Sequence, residues 1–174
     1  QFEIESRVSS LASQIRSNYE VRNLGHVKHD GDKCVPLVVI GVLTGAVPFI
    51  VDLIRAVGIP IKLDFVGLSS YINHTEPSDL NWTKRLSLPI SHEDDVLIVD
   101  DIVDTGYTIQ AVIEYISYFS PKSLETCTLL DKFCRRKVEV KLNYVGFTIL
   151  DEFVYCYGLD RKGWYRELQE IRSI

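Results

Sequence analysis

The sequence has few cysteines and no excess of basic residues. Its four cysteines, at positions 34, 127, 134 and 156, form no C-x-x-C pair. That spacing gives little support to a metal site or a disulfide framework and favours reduced thiols in a cytosolic protein. The formal net charge of -5 at pH 7 argues against a nucleic-acid-binding surface, which usually carries an excess of Lys and Arg. We therefore expect a cytoplasmic protein without a nucleic-acid partner.

We expect no export leader, and the one long charge-free run of the sequence is interrupted. The first residues, Gln-Phe-Glu-Ile-Glu, are polar and acidic, whereas a secretory leader is basic and then apolar. Residues 34–51 carry no charge, a length that approaches a membrane span, but Pro36, Gly41 and Pro48 interrupt them. We interpret this run as a buried strand, a turn and the start of a helix, and we expect no membrane partner. Because no repeat or linker divides the chain, we predict one domain over residues 1–174.

Apolar residues recur in the alternation of strands and helices that is typical of an α/β protein. Ile4, Val8 and Leu11 lie on one face of a helix predicted over residues 3–18. The further predicted elements are a strand at 37–42, a helix at 49–57, strands at 61–65 and 96–99, a helix from 109, and strands at 124–130 and 144–150. This order predicts a doubly wound, mostly parallel central sheet flanked by helices. Residues 69–85 show no period, so we predict a long loop there.

The most informative stretch is Val96–Thr108, in which a buried strand runs into carboxylates and a glycine turn before a helix begins. In open α/β sheets, ligands bind at the carboxyl ends of the strands. Backbone N–H groups, the helix dipole and the hydroxyls of Thr105 and Thr108 suit a phosphate. The three acids beside this turn are Asp100, Asp101 and Asp104. Their presence indicates a hydroxyl-rich ligand or a divalent cation next to the phosphate.

Three segments together resemble the type I phosphoribosyltransferases and, within that family, the hypoxanthine-guanine branch. The first is Asp100-Asp101-Ile-Val-Asp104-Thr105-Gly106-Tyr107-Thr108, which resembles the ribose-phosphate motif. The second is Leu-Leu-Asp-Lys132, and the third is Asp-Glu-Phe153-Val154 followed by Tyr-Gly-Leu-Asp160. The resemblance covers about residues 37–168 in the right order. It implies the type I fold, with a small hood formed by the N- and C-terminal segments.

The resemblance also implies a reaction. The family branch transfers the phosphoribosyl group of phosphoribosyl pyrophosphate to a 6-oxopurine, with Mg²⁺ as cofactor, and releases pyrophosphate in purine salvage. Hypoxanthine is the expected base, which gives IMP, and guanine and xanthine are alternatives. A homodimer or homotetramer is expected by the same resemblance.

Individual residues receive roles from the matched motifs. Asp104 matches the catalytic residue that takes the proton from purine N7, Lys132 matches the donor to O6, and Phe153 matches the residue that stacks on the base. The full expected set is Asp100, Asp101, Asp104, Thr105, Gly106, Tyr107 and Thr108 for ribose and its phosphate; Thr44, Gly45 and Arg166 for pyrophosphate; Lys132, Phe153, Val154 and Asp160 for the purine; Asp100, Asp101 and Asp160 for the metal; and Ser70 and Tyr71 for a lid. Residue types alone also allow a helix N-cap at Asp104, a solvated lysine at position 132 and a core phenylalanine at position 153.

Two departures and two other functions bear on this expectation. Thr44 stands where many family members have Lys or Arg, which predicts weaker pyrophosphate binding, and Asp100 replaces the more common glutamate.

One other function is a non-catalytic, nucleotide-sensing protein that binds RNA through a basic face at Arg135, Arg136 and Lys137. The second is transfer to a different base, which the Lys132 donor disfavours for adenine.

Overall fold

The computed structural model describes residues 2–23, 36–70 and 80–174, without the side chain of Ser70. Tyr71 of the predicted lid lies outside the described residues. The helices are α1 (Phe2–Arg22), α2 (Val47–Val57) and α3 (Tyr107–Ser117), with a 3-10 turn at Phe133–Arg135. The strands are β1 (Leu37–Leu43), β2 (Ile61–Ser70), β3 (Leu80–Lys84), β4 (Asp95–Val103), β5 (Ser123–Asp131), β6 (Tyr144–Thr148), β7 (Val154–Tyr155) and β8 (Arg172–Ser173).

Six strands form one sheet in the order β3-β2-β1-β4-β5-β6. The strands β2, β1, β4, β5 and β6 pair in parallel, and β3 pairs antiparallel to β2 at the edge. The predicted α/β class with a mostly parallel sheet is therefore confirmed. Because parallel strands share a direction, the carboxyl ends of β1, β4 and β5 meet at one edge, as expected.

The sheet separates two apolar layers, because successive strand residues point to opposite faces. Val39 of β1 and Leu97 of β4 pack in the layer that holds α1 and α2. Val38 and Ile98, one residue away, pack in the layer that holds α3. Both central strands are thus covered on both faces, which explains why their sequences read as unbroken apolar runs.

The predicted loop at 69–85 is wrong at both of its ends. Residues 69 and 70 belong to β2, and Leu80–Lys84 forms β3, whose alternating burial is the period-2 pattern of a half-covered edge strand. Trp82 packs its ring 4.7 Å from the ring of Tyr115 in α3, measured between centroids. This tryptophan therefore packs against the apolar layer that holds α3.

Two further boundaries and one placement differ from the predictions. The first helix extends to Arg22, because Tyr19 continues its buried face beyond residue 18, and β6 ends at Thr148. The C-terminal segment forms the small β7–β8 sheet, whereas the N-terminal segment, expected in the hood, lies in the helical layer and packs against α2 and β6. Within the described ranges, no helix has the length and apolar character needed to cross a membrane.

Candidate active site

Asp100 and Asp101 end the buried part of β4 and face opposite sides of the sheet. Asp100 is only 5% exposed and lines a cavity with Thr105 and Gly106. Asp101 borders that cavity and also a larger one beside it. Burial, followed by the charge of Asp101, raises the pKa of Asp100 well above its ordinary value, and burial also raises the pKa of Asp101. Two neighbouring carboxylates whose charges are disfavoured in this way attract a cation.

The acidic donors at this edge suit Mg²⁺ that is shared with a substrate. Mg²⁺ is usually held by one or two carboxylates together with phosphate oxygens and water, and Asp100 and Asp101 supply such a pair. The third predicted metal residue, Asp160, instead accepts hydrogen bonds from the Arg166 guanidinium at 2.6 Å and from the Gly163 N–H at 2.7 Å. Among the residues that the structure describes, no three His, Cys, Asp or Glu side chains are arranged to hold a metal ion. The role of Asp160 at the metal thus stays a prediction.

The turn from Asp104 to Thr108 places the N-terminus of α3 at the mouth of the first cavity. Gly106 is the N-cap of α3 and has a φ of 94°, a left-handed conformation that glycine adopts without the strain of a Cβ atom. Asp104 is therefore not the N-cap, which removes the alternative explanation for this residue. The turn presents backbone N–H groups and threonine hydroxyls at the positive end of the helix dipole, an arrangement that binds phosphate.

Arg136 stabilises this turn through hydrogen bonds to backbone carbonyls. Its guanidinium donates to the backbone carbonyls of Asp104 at 3.2 Å and Val103 at 3.4 Å, and it pairs with the Asp131 carboxylate. The Lys137 N–H donates to the Thr105 carbonyl at 2.9 Å. This role was not predicted, because nothing in a single sequence separates Arg136 from its basic neighbours. The inward orientation of Arg136 also weakens the alternative of a basic RNA-binding face.

The loop after β1, which contains Thr44 and Gly45, packs against Asp101 with no side chain between them. A Cβ atom at Gly45 would lie 2.8 Å from the Asp101 Cγ and would collide with one carboxylate oxygen. On its other side, Gly45 meets Gly158, where an added Cβ would lie 3.0 Å from the Gly45 carbonyl carbon and would collide with the carbonyl oxygen. Gly45 therefore packs closely between the Asp101 carboxylate and the backbone of Gly158. The Leu43–Thr44 peptide bond is cis.

The larger cavity, of about 700 Å³, brings together all of the predicted pyrophosphate and purine residues. Its lining includes Thr44, Gly45, Asp101, Asp104, Lys132, Phe153, Val154, Asp160 and Arg166. The ring of Phe153 is half exposed at its wall, so the alternative of a core phenylalanine is wrong. Lys132 is 5% exposed, which likewise excludes an ordinary solvated lysine. Residues as distant in the sequence as Thr44 and Arg166 thus share one cavity.

A chain of ion pairs connects Asp104 and Lys132 across this cavity. Arg135 Nε lies 3.2 Å from an Asp104 carboxylate oxygen, and Arg135 Nη1 lies 3.6 Å from Asp151 Oδ1. The same Asp151 oxygen lies 3.6 Å from Lys132 Nζ. The charged neighbour of the Asp104 carboxylate is therefore Arg135. Neither Arg135 nor Asp151 was predicted as a site residue.

Comparisons with known proteins agree with this geometry. The model of the phosphoribosyl transferase domain family matches residues 2–162. The chain is 38% identical to the hypoxanthine phosphoribosyltransferase of Haemophilus influenzae over 99% of this chain and 90% of that one, and 39% identical to the Escherichia coli K12 protein of the same name with the same coverage. A solved hypoxanthine-guanine phosphoribosyltransferase from Bacillus anthracis is 36% identical, with a TM-score of 0.84 and coverage of 99% and 94%. The Trypanosoma cruzi enzyme, solved with its product IMP, is 34% identical, with a TM-score of 0.86 and coverage of 98% and 89%.

Proposed function

The chain belongs to the phosphoribosyltransferase family, and we propose that it transfers the phosphoribosyl group of phosphoribosyl pyrophosphate to a 6-oxopurine. The products are the nucleoside 5′-monophosphate and pyrophosphate. Hypoxanthine is the first base to test, since the curated relatives named above are hypoxanthine phosphoribosyltransferases. Guanine and xanthine are the alternatives.

One observation carries the proposal: the phosphate-binding turn and a base-sized subsite open into adjoining cavities that share Asp101 and Asp104. A phosphoribosyl group bound at the turn would extend past the Asp100–Asp101 pair. Its C1 atom would then point toward the cavity that holds Lys132 and Phe153. This is the arrangement that a base needs in order to displace pyrophosphate in line.

On the base side, each side chain fits one chemical need of a 6-oxopurine. The buried Lys132 ammonium is suited to donate a hydrogen bond to O6, which adenine lacks. Phe153 offers a half-exposed ring for stacking, and the Val154 backbone borders the same cavity. Asp104 is suited to take the N7 proton as N9 attacks C1 of the ribose, because its carboxylate borders the cavity of the base and a positioned carboxylate can act as a general base.

On the phosphate side, charge develops in two places during the reaction. Positive charge grows on the ribose and negative charge on the departing pyrophosphate. Mg²⁺ bound with the substrate would neutralise pyrophosphate oxygens, and Asp100 and Asp101 are the carboxylates suited to hold it together with the ribose hydroxyls. Arg166, one of the two arginines that line this cavity, is suited to pyrophosphate, while Thr44 contributes only a hydroxyl and backbone groups.

We also propose that the chain assembles as a homodimer or homotetramer. The support is the Trypanosoma cruzi hypoxanthine phosphoribosyltransferase that has been studied for the role of its C-terminal region in oligomeric state, which is 34% identical with a TM-score of 0.88. Light scattering after size-exclusion chromatography tests this assembly. A monomer across the accessible concentration range would contradict it.

The activity is tested by a spectrophotometric assay with phosphoribosyl pyrophosphate, Mg²⁺ and, in turn, hypoxanthine, guanine, xanthine and adenine. We expect turnover with at least one 6-oxopurine and little with adenine. Asp104→Asn is expected to lower kcat by about 100-fold or more, since positioned proton transfer contributes on the order of 10²–10⁴. Glu114→Gln, on an exposed part of α3, is the matched control. No turnover with any 6-oxopurine would overturn the proposed function, and near wild-type kcat in the Asn variant would overturn the general-base role alone.

A further inference from the structure

The C-terminal segment carries Phe153, Val154, Asp160 and Arg166, and one buried side chain anchors the middle of this segment to the body of the protein. Tyr157 is 7% exposed and belongs to the apolar layer that holds α1 and α2. Its hydroxyl donates a hydrogen bond of 2.6 Å to the Asp52 carboxylate in α2. Burial, and then the neighbouring Asp52, raises the pKa of Tyr157, so the hydroxyl keeps the proton that it donates.

The position of Asp52 matters because α2 begins directly after the loop that contains Thr44 and Gly45. The residue after Tyr157 is Gly158, which packs on the Gly45 carbonyl at a distance that leaves no room for a Cβ atom. Gly45 in turn packs on the Asp101 carboxylate. A shift of Tyr157 relative to α2 would therefore move the backbone that sets the position of this loop, and it would reach Asp101.

The same part of the segment also holds the turn with Arg166. The Gly158 N–H donates to the Arg166 carbonyl at 2.9 Å, and the Arg166 guanidinium donates to the Gly158 carbonyl at 2.6 Å. The Tyr157 N–H donates to the Leu168 carbonyl at 2.8 Å. Arg166 is thus connected to α2 through Gly158 and Tyr157.

Phe153 and Val154 are held by a separate set of contacts. Val154 pairs with Ser173 in the β7–β8 sheet, and the Ile174 N–H donates to the Phe153 carbonyl at 3.0 Å. Loss of the Tyr157 hydroxyl should therefore disturb the pyrophosphate side of the cleft more than the base side.

We infer that Tyr157 and Asp52 form a positioning pair that fixes the Gly158–Gly45 contact. Through that contact the pair sets the spacing between Asp101, Arg166 and the loop that contains Thr44 and Gly45, here called the pyrophosphate loop. Neither member of the pair touches the substrate; both act through the glycines and Arg166. The inference rests on the proposed function, because it assigns the pair to the binding of phosphoribosyl pyrophosphate.

The test uses Tyr157→Phe, which removes the hydroxyl and keeps the ring. Its matched control is Tyr144→Phe, because Tyr144 is another buried tyrosine, 4% exposed, whose hydroxyl bonds to Glu125 and Asn18. Tyr144 lies at the start of β6, at the sheet edge away from the cleft. The assay measures KM for phosphoribosyl pyrophosphate and for hypoxanthine, kcat, thermal midpoint, and the Kd for phosphoribosyl pyrophosphate with Mg²⁺ by calorimetry.

We expect Tyr157→Phe to raise KM and Kd for phosphoribosyl pyrophosphate several-fold, up to about tenfold, as the loss of one hydrogen bond predicts. The KM for hypoxanthine should change less than about twofold, and Tyr144→Phe should lower the thermal midpoint without changing either KM. Asp52→Asn keeps an acceptor for the tyrosine hydroxyl and should stay close to wild type, whereas Asp52→Ala should match Tyr157→Phe.

Equal effects of Tyr157→Phe and Tyr144→Phe on KM would overturn the inference, as would an Asp52→Asn variant as impaired as Asp52→Ala. Both outcomes differ from failure of the proposed function. In that case the wild-type protein itself would show no turnover and no calorimetric binding of phosphoribosyl pyrophosphate.

Discussion

Replacement of Gly45 by alanine tests whether the backbone contact between the pyrophosphate loop and Asp101 is needed for catalysis. The added methyl would lie 2.8 Å from the Asp101 Cγ and would overlap one carboxylate oxygen. Ordinary van der Waals contact begins at about 3.4 Å, so the carboxylate must move away from the methyl group. Its nearer oxygen must move farther than its carbon atom. The movement is of the order of 1 Å, away from the position where ribose hydroxyls and Mg²⁺ are expected.

A displacement of about 1 Å in an active site can lower the rate about 100-fold. We therefore expect kcat/KM for phosphoribosyl pyrophosphate to fall by roughly 10- to 100-fold. The stability cost should be small. The φ of Gly45 lies outside the left-handed region, and a carboxylate can rotate away more readily than backbone can. The lower conformational entropy of alanine in the unfolded chain also offsets about 0.4–1 kcal/mol of any strain.

Gly58→Ala provides the opposite control. Gly58 ends α2 with a φ of 65°, and a methyl group added there would meet Arg16 Nη1 at 3.5 Å, an ordinary contact. Alanine at this position should cost about 1 kcal/mol through backbone strain alone, and the residue lies outside both cavities of the site. We expect Gly58→Ala to unfold at a lower urea concentration with unchanged steady-state kinetics. We expect Gly45→Ala to lower kcat/KM with little change in the urea concentration at which the protein unfolds.

The assay is a pair of measurements on each variant, steady-state kinetics with varied phosphoribosyl pyrophosphate and equilibrium unfolding in urea. A Gly45→Ala protein with wild-type kcat/KM would refute the reasoning, because the contact with Asp101 would then have no catalytic consequence. A kinetic loss that scales with destabilisation in both variants would refute it as well.

Three further predictions concern the loops around the cleft and the sheet edge. Arg136→Gln should raise KM for phosphoribosyl pyrophosphate about tenfold or more, because the phosphate-binding turn loses guanidinium bonds to two carbonyls; kinetics of the exposed neighbour variant Lys137→Gln should stay at wild type. Thr44→Lys should lower the KM for phosphoribosyl pyrophosphate about three- to fivefold at low salt and less at high salt. An unchanged KM would show that a positive charge at position 44 does not contribute to binding. For Asp64, burial favours the neutral form, but Lys84 and three backbone N–H groups outweigh it and lower the pKa to about 2. The resulting stabilisation, about 2 kcal/mol, is complete above pH 4 and is lost as pH falls from about 4 to about 2. Urea unfolding across that range should show the advantage of wild type over Asp64→Asn shrinking, and a constant difference would contradict the assignment.

The central fold could be predicted from sequence because burial on both faces produces continuous apolar strands. β1 and β4 show this pattern without interruption, and α2 and α3 follow each of them with helical spacing. β3 was missed because an edge strand covered on one face leaves only a short alternation, here Leu80, Trp82 and Lys84, within a polar stretch. Such a strand depends on its neighbour: the Lys84 ammonium bonds to Asp64 at 2.8 Å and to the Phe65 carbonyl at 2.6 Å, and local sequence does not record either contact.

In the site, the residues that could be predicted lie in contiguous motifs at strand ends, such as Asp100–Thr108, Lys132 and Phe153. Their gathering in one cavity follows from the parallel topology. The contacts of Arg136 and Tyr157 could not be predicted, because each side chain bonds to groups that are distant in the sequence. A guanidinium that bonds to carbonyls and a buried hydroxyl that bonds to a helix leave no local pattern.

The geometry of β4 explains why the motif contains two adjacent acids and not one. Successive strand residues face opposite sides of a sheet. Asp100 borders the cavity of the phosphate-binding turn, and Asp101 borders both that cavity and the cavity of Gly45 and Arg166. A single acid at position 100 would leave the second cavity without a carboxylate from this strand, and a single acid at position 101 would have to serve both. The cost is that both carboxylates are buried side by side, which raises both pKa values and disfavours the charged pair until a cation arrives. The same alternation that builds the two apolar layers of the core thus distributes the acids between the two cavities.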